Sequence, residues 1–183
     1  NERKEYLEII HKNNDLLLHL IDDILDFSKI ESGTLNYHIT ETDIKEICGE
    51  VYLANLLKMK PDVKLIFDKE QPSIRLKTDP QRIMQVVSNF VNNAIKFTEK
   101  GSITISYKQE GKNLRVSVQD TGIGISEKDR MRIFERFIKI NEFKQGTGLG
   151  LTISKTIIES LNGTIGVDSV KGSGSTFWFT LPL

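Results

Sequence analysis

Apolar residues recur along this chain with two periods, and the changes of period mark its elements. Over residues 2–31, Leu7, Ile10, Leu17, Ile21 and Ile24 fall at alternating steps of three and four, with Asn14 and Ser28 in the same register. That is the a/d seam of a heptad. Leu18, Leu20, Leu25 and Phe27 flank the seam and widen it, which suits a helical bundle better than a thin coiled coil. The predicted rod is ~45 Å long, too long for a small domain to cover, so it is expected to pack on helices outside this chain or on its own copy. Asn14 either sets register in that seam or is a tolerated polar residue. Gly33 closes the helix. A short strand is expected at Asn36 to Thr40. A second helix carries Ile44, Ile47, Cys48, Val51 and Ala54 on one face and ends at Pro61. Val63 to Phe67 and Ile74 to Lys77 read as short strands.

Asp79 and Pro80 then announce a third helix, the acid as cap and the proline in the first turn, where its missing N–H is not needed. Ile83, Val86, Val87, Phe90, Val91, Ala94 and Ile95 give it an apolar face. Asn89, Asn93 and Lys96 form a separate polar stripe. Beyond it the period drops to two. Ile103, Ile105 and Tyr107 alternate, then Leu114, Val116 and Val118, around the hairpin loop Q-E-G-K-N. By the same parity Asp120 points to the apolar face at the strand end. Residues 131–138 form a short amphipathic segment, and a loop precedes a glycine-rich helix entry, G-L-G-L-T-I-S-K. Leu149, Ile153, Ile157 and Leu161 are its core face and Asn162-Gly163 its stop. A final hairpin turns at K-G-S-G.

Composition narrows the setting. The 183 residues suit one domain with an appendage, and Lys+Arg and Asp+Glu balance at 25 each. That balance gives no electrostatic reason for a nucleic-acid partner or an anionic membrane. Cys48 is the lone cysteine, so neither an intramolecular disulfide nor a cysteine metal cluster is available. On its apolar face it reads as core. No apolar run approaches a membrane span and there is no signal peptide, which fits a cytoplasmic portion of a parent that could itself be membrane-anchored. The chain opens inside a helical pattern without Met, so it reads as a piece of something longer.

Candidate chemistry lies in the polar exceptions. Two amides and an ammonium on one stripe of a half-buried helix form either a solvated rim or a phosphate and metal site. An Asn oxygen is a hard ligand suited to Mg²⁺, and a lysine can meet phosphate oxygens one turn on. A carboxylate on the core face costs free energy unless something hydrogen-bonds it. Asp120 is followed at once by T-G-I-G, whose glycines permit unusual backbone angles and close ligand approach.

Taken together and in order, N-F-V-N-N-A-I-K-F-T, D-T-G-I-G, I-F-E-R-F, G-T-G-L-G-L and G-S-G-S-T-F resemble the catalytic ATP-binding domain of sensor histidine kinases. That domain shares a superfamily with DNA gyrase, MutL-type repair proteins and the ninety-kilodalton heat-shock chaperones. The likeness covers about residues 36–183. The preceding D-I-L-D-F-S-K-I-E-S-G resembles the second helix of the family's dimerisation hairpin and its linker. The resemblance implies residues 1–33 as that helix and 34–183 as the catalytic domain. It implies a two-layer α/β sandwich, a mixed sheet covered on one face by helices. It implies ATP and Mg²⁺ as ligands, a homodimer built on the parent's dimerisation domain, and a response-regulator receiver domain as partner.

Roles then follow position by position. Asn93 would hold Mg²⁺, Asn89 and Lys96 would contact phosphates, and Phe97 would pack near the base or ribose. Asp120 would accept from the adenine amino group, with Gly122, Gly124 and Ile125 along the base. Phe134 and Phe137 would anchor a lid in which Lys139 and Lys144 could reach the terminal phosphate. Gly146, Thr147, Gly148, Leu149, Gly150 and Leu151 lead into a helix whose amides can bind phosphate. Thr176 is placed near the adenine end by the family pattern alone.

Two departures qualify the likeness. The stretch from Phe137 to Gly146 is shorter than in many relatives. The family's acceptor histidine stands before an acid in S-H-E-x-R-T-P, whereas His11, His19 and His38 precede Lys12, Leu20 and Ile39. All three read as surface or linker residues, and the acceptor is expected outside this chain. Competing readings are an ATP-hydrolysing conformational machine and a nucleotide-sensing or dimerisation module without catalysis. The hydrolytic relatives carry a Glu where this chain has Asn89, and an amide is no general base. An anti-sigma-type serine kinase lacks the long helix, and an aspartic protease would need two apposed D-T-G loops.

Overall fold

The computed structural model describes residues 2–138 and 148–183. The first helix, α1 (Glu2–Glu31), runs the predicted length. Gly33 ends it at φ +66°, and the Thr34 N–H reaches back to Lys29 O at 2.9 Å, the left-handed closure that glycine favours. Leu7, Ile10, Leu17, Ile21 and Ile24 lie exposed along it. Its last turns dock on the rest of the chain. Asp26 accepts from Arg82 Nη1 at 2.9 Å and from Gln85 Nε2 at 2.7 Å. None of the described helices is long and apolar enough to cross a membrane.

β1 (Thr40–Asp43) leads into α2 (Ile44–Leu56), and β2 (Val63–Phe67) and β3 (Arg75–Thr78) precede α3 (Pro80–Phe97). β1 and β3 pair antiparallel, Thr40 opposite Thr78. The first strand starts later than its sequence suggests, because the His38 N–H is taken by Asp79 Oδ2 at 2.8 Å and not by a strand partner. β3 starts one residue later for a similar reason: Ile74 O accepts from the Ile44 N–H. Asp79 caps α3 from its other oxygen, accepting from Arg82 N at 3.1 Å, and Pro80 occupies the first turn.

β4 (Gly101–Glu110), β5 (Asn113–Asp120), α4 (Glu127–Arg130), α5 (Gly150–Ser160), β6 (Thr164–Ser169) and β7 (Ser175–Pro182) complete the order. The main sheet runs β2-β4-β5-β7-β6, parallel between β2 and β4 and antiparallel elsewhere. α2, α3 and α5 cover one face of it. Period-two alternation puts Leu114, Val116 and Val118 on that face beside Ile103, Ile105, Phe177 and Phe179, all buried. α3 closes the core with Ile83, Val86, Val87, Phe90 and Val91 fully buried. The Phe90 ring lies 5.5 Å from Phe177 and 6.2 Å from Phe179. Burying each such side chain contributes about 1.5–3 kcal/mol, so α3 is the element the sheet packs around. Cys48 is fully buried and its thiol is pushed up to about 12 by desolvation, an inert core group. Just before the segment expected to be amphipathic comes the one-turn α4, capped by Ser126 Oγ. The chain then follows hydrogen-bonded turns from Met131, with Ile133 buried.

Candidate functional site

α3 puts its polar stripe beside the core. Asn89, Asn93, Lys96 and Phe97 are all half-buried, next to buried Phe90 and Ala94. The Lys96 ammonium sits 5.1 Å from the centre of the Phe97 ring. Asn89 Nδ2 donates to Ser154 Oγ at 2.9 Å, and that hydroxyl donates to Gly150 O. The middle of α3 is thereby fastened to the first turn of α5. A side chain at Gly150 would have its Cβ 2.6 Å from Asn89 Oδ1, so it would displace that amide. Leu149, buried at the N-cap, has no polar group to offer the helix start, and no acid occupies the first turn. Leu151 behind it is half-buried.

The other end of α3 meets the loop after β5. Phe97 O accepts from Ile123 N at 3.3 Å. Asp120 closes β5 on the covered face, 5 % exposed. Its Oδ1 accepts from the Gly122 N–H at 2.8 Å, and Ser175 stands opposite it on β7. Burial pushes this carboxyl above its ordinary value, and the nearby backbone N–H groups of Gly122 and Ser175 offset only part of that. A carboxylate has about four acceptor sites. Asp120 therefore keeps acceptor capacity that a ligand N–H can use. A Cβ at Gly122 would stand 2.5 Å from Phe97 O and 2.8 Å from Asp120 Oδ1, so only glycine leaves this carboxylate its neighbour. Gly124 takes φ +64° with Val170 O against its open side, and Ile125 is buried.

Phe134 is half-buried, its carbonyl accepting from Thr152 Oγ1 at 3.2 Å. Phe137 is 65 % exposed at φ +60°, and its N–H bonds Gly148 O at 3.1 Å. Its ring meets Phe27 of α1 edge-on at 6.2 Å, and Arg136 lies over the same Phe27 ring while bonding Glu31 at 2.6 Å. The segment that leads toward the glycine-rich turn is thus held by α1. Gly148 takes φ +74°. Lys139, Lys144, Gly146 and Thr147 lie outside the described residues.

Thr176 does not join this group. It pairs with Gln119 and Asp168 on the face the helices leave uncovered, while Ser175 sits opposite Asp120 on the covered face. Alternation with Phe177, Phe179 and Leu181 carries that parity in the sequence itself. Sequence reasoning also missed Ser154 and Ser169. Small hydroxyls inside apolar runs give no periodic signal, so only packing finds them. Among the described residues no group of three or more His, Cys, Asp or Glu can hold a metal ion. A Mg²⁺ ion at Asn93 would therefore draw its other ligands from a bound phosphate and from water, the way this ion is ordinarily held.

Comparisons with known proteins converge on one family. The sequence model described as histidine kinase-, DNA gyrase B-, and HSP90-like ATPase matches residues 78–183. That of the His Kinase A (phospho-acceptor) domain matches residues 1–33. The chain is 40 % identical to the sensor protein GacS of Pseudomonas syringae pv. syringae, over 98 % of this chain and 21 % of the relative. It is 38 % identical to the sensor histidine kinase RcsC of Escherichia coli strain K12, over 95 % and 19 %. It thus spans about a fifth of the curated relatives it matches. Among solved structures, full-length ShkA in complex with AMPPNP superposes with a TM-score of 0.84 at 29 % identity, over 100 % of this chain and 39 % of that one. The histidine kinase ThkA in complex with response regulator protein TrrA gives 0.75 at 29 % identity, over 98 % and 51 %.

Proposed function

Because the chain belongs to the histidine kinase-, DNA gyrase B- and HSP90-like ATPase family, we propose that it is the ATP-binding catalytic portion of a sensor histidine kinase. It would transfer the ATP γ-phosphoryl group to a histidine on the parent's dimerisation domain. Asp120 accepts from the adenine amino group, with Gly122, Gly124 and Ile125 along the base and Phe97 nearby. Asn89 and Lys96 meet phosphate oxygens, and Asn93 holds Mg²⁺ through its amide oxygen. Bound there, the ion would neutralise charge on the bridging phosphates. The α5 start, with Gly148, Leu149, Gly150 and Leu151, offers backbone amides to phosphate, joined by Gly146, Thr147 and Lys139. Phe134 and Phe137 anchor the lid. The exposed seam of α1 is the surface for the parent's other helix and a second protomer. A receiver domain would take the phosphoryl group onward. ATP as substrate fits a cytoplasmic location.

One observation carries transfer over hydrolysis. Asn89 spends its amide N–H on Ser154 Oγ and stands where hydrolytic relatives carry a Glu. No general base for water is supplied there. The test pairs calorimetry with a phosphate-release assay. The chain should bind Mg-ATP and release almost no inorganic phosphate. Asn93→Ala should lose most of the Mg²⁺-dependent part of the affinity with an unchanged melting temperature. Steady multiple-turnover hydrolysis would favour the conformational machine. Unaltered Mg-ATP binding by Asn93→Ala would move the metal elsewhere.

A further inference from the structure

The β6–β7 turn lies against the loop that follows Asp120, and one hydroxyl joins them. Ser169 ends β6 on the covered face, a parity otherwise held by Ile165 and Val167. Its Oγ accepts from the Ile125 N–H at 2.8 Å, lies 2.8 Å from Gly174 O, and lies 2.9 Å from Ser175 Oγ. A serine hydroxyl has one proton and two lone pairs. Donating to Gly174 O and accepting from Ile125 N and the Ser175 hydroxyl uses all three. The Arg130 guanidinium also bonds the Ser169 carbonyl at 3.4 Å. The tip adds a second tie, Gly172 N to Ile123 O at 2.7 Å. Steric closeness is high on both sides: a Cβ on Gly124 would strike Val170 O, and one on Gly174 would strike Asp120 O. The 121–125 loop is therefore fixed at Phe97 O on the α3 side and at Ser169 and Gly172 on the hairpin side.

We propose that Ser169 is a positioning residue for base recognition, locking the backbone after Asp120 so that the carboxylate and Gly122 keep one geometry. The inference rests on the nucleotide reading of that carboxylate. Ser169 acts through the Ile125 amide and through Ser175, which pairs with Asp120 across β5 and β7, and touches no phosphate-binding element. Its loss should weaken recognition of the adenosine part and leave the triphosphate part alone.

Calorimetry of the full chain with Mg-ATP and with Mg-tripolyphosphate separates the two. Ser169→Ala should weaken Mg-ATP about tenfold, the equivalent of roughly 1.4 kcal/mol, with tripolyphosphate affinity unchanged. Ser169→Thr, which keeps the hydroxyl, should recover most of the loss. Equal losses for both ligands, or a folded Ser169→Ala that binds Mg-ATP like wild type, would overturn the proposal. Amide exchange on the unsubstituted chain adds a test that needs no variant. The Ile125 N–H should be protected to the level of the β5 amides, and exchange at loop rates would overturn the lock. A wild-type chain that binds tripolyphosphate but not ATP would instead strike the Asp120 assignment itself.

Discussion

Gly150 opens α5 directly against Asn89: a Cβ on it would stand 2.6 Å from Asn89 Oδ1. The amide cannot move away freely, because its Nδ2 is committed to Ser154 Oγ. Gly→Ala where the backbone suits a side chain ordinarily gains about 0.4–1 kcal/mol. Here the gain should be cancelled by the displaced amide. Gly150→Ala is expected to melt no higher than wild type and to bind Mg-ATP more weakly. In an Asn89→Ala background the same change should become stabilising. A double-mutant cycle measures the coupling, expected at about 0.5–3 kcal/mol. A Gly150→Ala that is stabilising in both backgrounds would show that the two helices have room to spare.

Nucleotide choice should rest on Asp120. Its carboxylate can accept from an adenine amino group but would oppose the carbonyl oxygen guanine carries at that position. ATP and ADP should bind well and GTP poorly. Asp120→Asn keeps an acceptor oxygen but turns a hydrogen bond to a charged group, worth about 1.5–3 kcal/mol, into a neutral one of about 0.5–1.5, a loss of about 1–1.5 kcal/mol, roughly five- to tenfold in affinity. Calorimetry decides, and equal affinities for ATP and GTP would sink the assignment.

The same carboxylate should leave a mark on stability. Burial raises its pKa in the folded chain above the ordinary 3.8, so between those two values the folded state holds more proton than the unfolded one. Wild-type stability therefore falls as pH rises through that window and levels off above it. Asp120→Asn lacks this loss. The variant should melt like wild type in acid, and gain on it as pH rises until the difference is constant near neutrality. Other titrating groups are common to both chains and cancel in the difference. Melting curves of the pair across pH measure it, and a difference independent of pH would show that desolvation does not strain Asp120.

What the sequence revealed followed from regularity. The α1 seam, the apolar face of α3 and the alternation of β4 and β5 are periodic, and each became the expected element, with the apolar faces of α3, β4 and β5 buried as read. Asp120 was legible because a carboxylate breaks that alternation. Aperiodic contacts were hidden. Asp26 with Arg82 and Gln85, or Phe27 with Phe137, join residues far apart in sequence whose meeting depends on how α1 settles on the finished domain. Ser175 is hidden for a different reason: the motif points to Thr176, whereas strand parity puts Ser175, not Thr176, opposite Asp120. β1 slipped because an N–H that looked free for a strand was claimed by the cap of α3.

The phosphoryl acceptor is expected to lie outside this chain. Transfer needs a nucleophile in line with the γ-phosphate, and catalysis is mostly positioning and charge stabilisation. In the family the accepting histidine precedes an acid that can take its proton. His11 precedes Lys12, His19 precedes Leu20 and His38 precedes Ile39. His11 and His38 are exposed, and the His38 backbone is tied to Asp79 at the start of α3. None of the three is followed in sequence by the acid that partners the family's acceptor. With γ-labelled Mg-ATP, this chain alone should incorporate almost no phosphate on histidine. Adding a dimerisation hairpin from the parent, with its S-H-E-type helix, should restore labelling in trans. The label should be lost in acid and survive base, as a phosphoramidate does. The Asn93→Ala variant should fail to label that hairpin, which ties the transfer to the same site. Strong acid-labile label on this chain by itself, mapped to one of its three histidines, would place the acceptor inside residues 1–183 and overturn the account.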